Sequence, residues 1–242
     1  MERYCLKHNK LFWGCLFLIA VIGMLFSSSY VENLTVRMDA IGIFDVMVYD
    51  STFCLILFSA IITMFLGQEF SNRTITVLIS SGHSRAKIFI SKFLTYLVVF
   101  NIFMLIFPIV GSLRMSFVLG WDGLLIDNVL HVLQVIGFSI LFNSTVFSVC
   151  VFCAFFFRDL AKSVSVATLV ILISSLILAY GVPMGWFSSL RLLRFLPMYQ
   201  IREMLSYSLS TVQITEALIS GFICMLFFIV LAFRSFRACE LK

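Results

Sequence analysis

Charge is what this sequence has least of. Only 12% of its 242 residues are Asp, Glu, Lys or Arg, and 62% are hydrophobic. A soluble domain carries about 25% charged residues, so this chain has too little polar surface to face water as a globule. No stretch between its apolar runs is long enough to hold a soluble domain, and one membrane domain is the reading this length supports. Catalytic signatures are missing as well. There is no H-E-x-x-H, no G-x-S-x-G and no G-x-x-x-x-G-K-S/T, so no zincin, nucleophile-elbow hydrolase or P-loop chemistry is indicated. Sequence repeats between halves, low-complexity tracts and linkers are likewise absent.

Histidine is scarce. His8 and His83 fall in segments read as cytoplasmic and His131 near the outer end of the fourth span, so they cannot share a metal. Ser139 and His131 stand two turns apart without a hydrolase motif around them. Cys15, Cys54, Cys150, Cys153 and Cys224 lie in apolar runs, with Cys5 and Cys239 in the tails. None is placed outside, so no exterior disulfide is expected. Cys150-x-x-Cys153 has redox spacing but lies within a hydrophobic helix with no second ligand pair, and reads as small buried residues.

What is present is a series of apolar runs. A hydrocarbon core about 30 Å thick takes roughly 20 residues of helix. Six runs qualify: about 11–29, 46–66, 93–113, 129–157, 163–182 and 212–233. The first follows a basic stretch and ends in Ser27-Ser28-Ser29-Tyr30 without a small-residue cleavage site, so it reads as an uncleaved span. The fold expected is all-α, with six transmembrane helices.

Orientation follows from the basic residues. With both tails cytoplasmic, the inside segments hold Arg3, Lys7, Lys10, Arg73, Arg85, Lys87, Lys92, Arg158, Lys162, Arg234, Arg237 and Lys242. The outside segments hold only Arg37, Arg114, Arg191, Arg194 and Arg202. The positive-inside rule selects that arrangement. It also accounts for the net charge of +5 without nucleic acid. No span carries a charge at its centre, which argues against an ion- or proton-coupled transporter. Uncharged polar residues remain inside the spans: Thr63, Asn101, Gln134, Asn143, Ser144, Thr145 and Ser148. Helix–helix hydrogen bonding is the bland account of these. A translocation path through Asn101, Gln134 and Asn143 is the functional one.

The joint after the second span is the most informative segment. Phe70, Thr74, Val77, Leu78 and Ser81 fall on one helical stripe, Gly82 suits a C-cap, and Ser84 suits the N-cap of a helix running through Lys92. A short surface helix there is either a handle for a partner protein or a plain connector.

This segment resembles the permease subunits of ABC-2 type ATP-binding-cassette exporters. Those show an acid–aromatic pair leaving span two, then a Thr, an apolar helix, a small-residue turn, Ser-Arg and a Lys entering span three. Glu69-Phe70, Thr74, Leu78, Ser84-Arg85 and Lys92 stand at those places. Arg73 departs from the pattern, standing where Gly is frequent, and so does Gly82-His83, where Pro is common before Ser-Arg. The resemblance implies a six-span conduit with no catalytic site of its own, driven by a separate ATPase subunit that holds ATP and Mg. It implies a second permease half, self or sister, in the lipid bilayer. Glu69–Ser81 would be the coupling helix, and Arg158–Lys162 a smaller second contact. Glu69, Phe70, Arg73, Thr74, Leu78, Ser84, Arg85 and Asp159 would be the coupling residues. Glu69→Lys or Leu78→Asp would then abolish ATPase pairing. Tyr4–Phe12 would start as an interfacial helix, and the outer segment 183–211 would be re-entrant or amphipathic. Small permeases of this kind resemble those serving peptide antibiotic export or self-immunity in Gram-positive bacteria. The competing readings are a membrane immunity or sensory protein acting without an ATPase, and an intramembrane enzyme.

Overall fold

The structure, a computed structural model, describes residues 10–33, 39–120, 125–181, 184–186, 194–206 and 209–238. Its elements are α1 (Lys10–Asn33), α2 (Ala40–Tyr49), α3 (Thr52–Ser71), α4 (Thr74–Ser80), α5 (Arg85–Leu119), α6 (Leu125–Phe157), α7 (Leu160–Gly181), α8 (Pro197–Glu203) and α9 (Thr211–Arg237). Among the described residues there is no strand, and α1, α3, α5, α6, α7 and α9 are long and apolar enough to cross a membrane.

The second run departs from expectation. A single span over 46–66 is not what forms. The chain makes the short helix α2, breaks at Asp50-Ser51, and restarts as α3, which continues to Ser71. The break has a local cause. The Asp50 N–H closes α2 on the Val46 carbonyl, and the Ser51 hydroxyl turns back to the Val48 carbonyl at 2.6 Å. Asp39 caps the other end of α2 by accepting from the Gly42 N–H at 2.9 Å. Burial of Ala40, Ile41, Ile43, Phe44, Met47 and Val48 holds α2 inside the bundle. The third run also begins sooner than hydropathy alone suggests. α5 has 35 residues, so it is about 52 Å long and extends well beyond the hydrocarbon layer. Pro108 lies inside it and leaves the Met104 carbonyl without a helical donor.

α6 is the central element, touching α3, α5, α7, α8 and α9. α1 packs on α5, and α7 on α3. The α1–α5 contact is set by Gly23 and Gly111. A Cβ on Gly23 would lie 2.7 Å from the Phe107 carbonyl oxygen, and one on Gly111 would strike the Met47 thioether and come within 3.0 Å of the Gly23 carbonyl oxygen. Lipid tails are as apolar as Leu, so close backbone approach through small residues replaces hydrophobic driving force in such contacts. The outward faces of α1, α7 and α9 stay apolar and exposed, as with Phe17, Ile173 and Phe227. Lipid suits these faces and water does not.

The interfacial helix expected over Tyr4–Phe12 lies mostly outside the described residues; α1 is described from Lys10. The outer segment is described at 184–186 and from Arg194, where α8 forms behind Leu196-Pro197.

Candidate functional site

One end of the bundle gathers the α3–α4–α5 joint, the α6–α7 turn and the C-terminus of α9. The joint is not the continuous Glu69–Ser81 helix expected. α3 ends at Ser71, Asn72 caps it, and Arg73 takes φ 55 before α4 begins at Thr74. Left-handed backbone is unusual for a residue with a Cβ, which explains why glycine suits this place. The break rotates α4 relative to α3, so the expected stripe is out of phase. Ile75, not Val77, is the buried residue: Ile75 is 2% exposed and Val77 63%. Leu78 and Ile79 lean against the core. The helix ends as anticipated, with Gly82 at φ +89. The Gly82 N–H donates to the Ile79 carbonyl and the His83 N–H to that of Leu78, the paired bonds of a Schellman turn. Ser84 then caps α5 by accepting from the Lys87 N–H.

Beneath α4 sits a buried ion pair. The Lys92 ammonium donates to Glu69 Oε1 at 2.6 Å, and the Tyr96 hydroxyl donates to the same oxygen at 3.0 Å. The side chains of Lys92 and Glu69 are 5% and 14% exposed. Lys92 and Tyr96, one helical turn apart, share a face of α5 and hold the end of α3 to its start. Around them Phe155 meets Phe70, Phe89 and Phe236 edge-on, with ring centroids 5.0–5.2 Å apart.

Two arginines secure the end of α9. Arg85 Nη1 donates to the Arg237 carbonyl at 2.8 Å, and Arg158 Nη2 to the Ser235 carbonyl at 3.0 Å. The last carbonyls of a helix have no internal donor, and cations are favourable there. Arg158 has φ 56 and makes the sharp α6–α7 turn. Asp159 caps α7, its Oδ1 accepting from the Lys162 N–H at 2.9 Å. Gly67 of α3 lies against Leu160, and its Cβ would fall 3.2 Å from the Leu160 Cα.

The eight expected coupling residues therefore share one end of the molecule but divide by direction. Glu69, Phe70 and Leu78 turn inward, while Arg73, Thr74 and Ser84 are exposed; Arg85 reaches α9, and Asp159 caps a helix. Glu69 and Leu78 are held inward as fastenings of the joint. Sequence reasoning missed the Tyr96 hydroxyl, the Phe155 cluster and the α9 carbonyls. Lys92 was the available signal, since a cation inside an apolar helix needs a partner.

Of the three path candidates, Asn101 and Asn143 lie near the contact between α5 and α6. Asn101 Nδ2 donates to the Ser144 hydroxyl at 3.2 Å, tying α5 to α6. Asn143, 3% exposed, lines a cavity of about 10 Å³ with Ser51, Met104, Pro108 and Ser139. Gln134 lies more than two turns away along α6. Nearby, His131 Nε2 lies 3.0 Å from Asp45 Oδ2 and fastens α2 to α6. Among the described residues no three His, Cys, Asp or Glu side chains are grouped to hold a metal ion.

The fold thus defines a multi-pass helical membrane protein whose polar and charged side chains fasten its helices to one another. The profile of a family described as "ABC-2 family transporter protein" matches residues 1–175, and the chain belongs to that family as a membrane-embedded permease. No curated protein matches the sequence.

Proposed function

We propose that this chain is the membrane half of an ATP-driven exporter and that the α3–α4–α5 joint couples it to a separate ATPase subunit, which holds ATP and Mg. The observation that carries the reading is α4 itself. Ile75 anchors one side of the helix in the bundle, while Val77 stands exposed on the other, beyond the end of the α3 span. An apolar side chain presented in a polar setting suits a protein groove.

The fastenings make the joint a lever. A push on α4 passes through the Arg73 hinge to α3, through Glu69–Lys92 to α5, and through Arg85 to the end of α9. Arg158 and Asp159, on the adjoining turn, supply the smaller second contact. Both tails then lie on the ATPase side, as the distribution of Lys and Arg favours. Alternating access needs a second permease half, self or sister, and rocking of the two halves opens a path between them. Asn143 and Asn101 belong to the seams that would part. Peptide antibiotics are the substrate class we favour, in a bacterial cell membrane and in export or self-immunity.

The test is a mild-detergent pull-down of the tagged chain from its native membrane. A stoichiometric ATPase should accompany the wild type and be lost with Val77→Asp, which leaves the buried side of α4 untouched. Recovery of the chain without an ATPase in several detergents would overturn the proposal in favour of an immunity or sensory protein.

A further inference from the structure

α9 changes character within one turn. Thr211–Glu216 is largely polar, and from Ala217 to Phe233 Ser220 is the one conspicuously polar side chain. The membrane boundary therefore falls at Glu216. A crevice crosses that boundary between α9 and α8 with the residues leading into it. Its polar part, about 510 Å³, is lined by Arg194, Tyr199, Gln200, Glu203, Gln213 and Glu216. Its apolar part, about 490 Å³, runs down α9 past Ile219, Ile223, Cys224 and Phe227. Phe195 and Glu216 line both, so the two are continuous. The rim is built in place: the buried Gln200 amide donates to the Arg194 carbonyl at 2.6 Å, and Tyr199 hydrogen-bonds Glu203. Each part lies within the roughly 300–1,000 Å³ of small-molecule sites.

One cation and two carboxylates above an apolar trough match a ligand that carries both charges above a hydrocarbon chain. We propose that this crevice binds a phospholipid with a zwitterionic, amine-bearing headgroup. Its phosphate meets Arg194, its ammonium meets Glu203 and Glu216, and one acyl chain lies along Ile219, Ile223 and Phe227. A second copy of this chain would bring apolar surface to the trough but leaves the mixed charges of the upper part unexplained. The crevice lies beyond residue 175, outside the family match, so the inference stands independently of the coupling proposal.

Native mass spectrometry of the purified full chain, given equal amounts of phosphatidylethanolamine and phosphatidylglycerol, tests this. One phosphatidylethanolamine should be retained, about tenfold over phosphatidylglycerol, the ratio a charge-assisted hydrogen bond supplies. Glu216→Gln should erase that preference while keeping the melting temperature. Ile223→Trp, which fills the trough, should lower retention of both lipids, whereas Ile173→Trp on the exposed face of α7 should not. Equal retention of the two lipids, or unchanged preference in Glu216→Gln, overturns the proposal even if Ile223→Trp fails to fold. So does binding of a cationic amphipathic peptide in place of lipid, or an efficient Cys224–Cys224 crosslink between copies in the membrane.

Discussion

Replacing Glu69 with Gln tests the fastening between α3 and α5. The substitution keeps shape and removes charge, leaving the Lys92 ammonium without its carboxylate in a setting where its side chain is 5% exposed. Breaking a buried pair by removing one partner costs about 3–5 kcal/mol, because the remaining charge is uncompensated. Glu69 is 14% exposed, so the lower end of that range applies, about 3 kcal/mol. For a chain of this size that lowers the melting temperature by roughly 6–12 °C. The double variant Glu69→Leu/Lys92→Met removes both charges and should recover most of the loss, since an apolar pair of similar volume often replaces an ion pair without penalty. The assay is thermal unfolding of the detergent-purified chain, read by a thiol-reactive dye on the buried Cys150 and Cys153. A Glu69→Gln protein that melts like the wild type would refute the reasoning, and if it also failed to recruit the proposed ATPase, Glu69 would act at the proposed docking surface instead. The same geometry changes what Leu78→Asp means: it buries a carboxylate against the core and should destabilise the chain itself, whereas Val77→Asp should not.

Gly23→Ala should loosen α1 from α5, because its Cβ meets a carbonyl oxygen at 2.7 Å that only backbone movement can relieve. A loss of about 1–3 kcal/mol is expected in the same melting assay, whereas Gly14→Ala, with nothing within 4 Å, should be neutral or slightly stabilising, since Ala suits a helix better than Gly. Arg73→Gly removes a left-handed residue with a Cβ and should stabilise the joint by up to about 1 kcal/mol, measured as a rise in melting temperature. His131→Phe deprives Asp45 of its partner. Burial already raises the Asp45 carboxyl above the ordinary 3.8, and His131 opposes that rise. A carboxyl raised on folding favours the folded state while protonated and loses that contribution as pH climbs through its folded value. His131→Phe should therefore melt progressively lower as pH rises above the ordinary carboxylate range, and His131→Phe/Asp45→Asn should show no such slope.

The fold was legible where a single energetic term dominates. Removing an apolar run of twenty residues from water outweighs any local preference, so six spans could be counted from composition. Caps were legible too, because Ser84 and Gly82 act on backbone groups a few residues away. The Asp50-Ser51 break was not. Ile41–Val48 is apolar enough to merge with the α3 residues in any averaging window, and only burial of α2 on several sides marks it as a separate piece. The phase of α4 was lost for a related reason. A stripe drawn through Asn72-Arg73 assumes 3.6 residues per turn without interruption, and one residue at φ 55 rotates everything after it.

Residue roles at the α3–α4–α5 joint divide along the same line. Glu69, Phe70, Leu78 and Arg85 stand out in the sequence as a group, and they do share one end of the molecule. Whether each points inward or outward depends on groups more than twenty residues away: Lys92 and Tyr96 for Glu69, Phe155 for Phe70, and the carbonyls of Arg237 and Phe236 for Arg85. The membrane environment, the number of spans and the location of the joint could be read from the residues alone, because these depend on hydrophobic transfer and short-range capping. Which joint residues are fastened inward and which stay exposed was set by the packing of helices far apart in the chain. A buried charge or carbonyl is satisfied by whatever the packing of distant helices brings within hydrogen-bond reach, and sequence spacing carries no information about that.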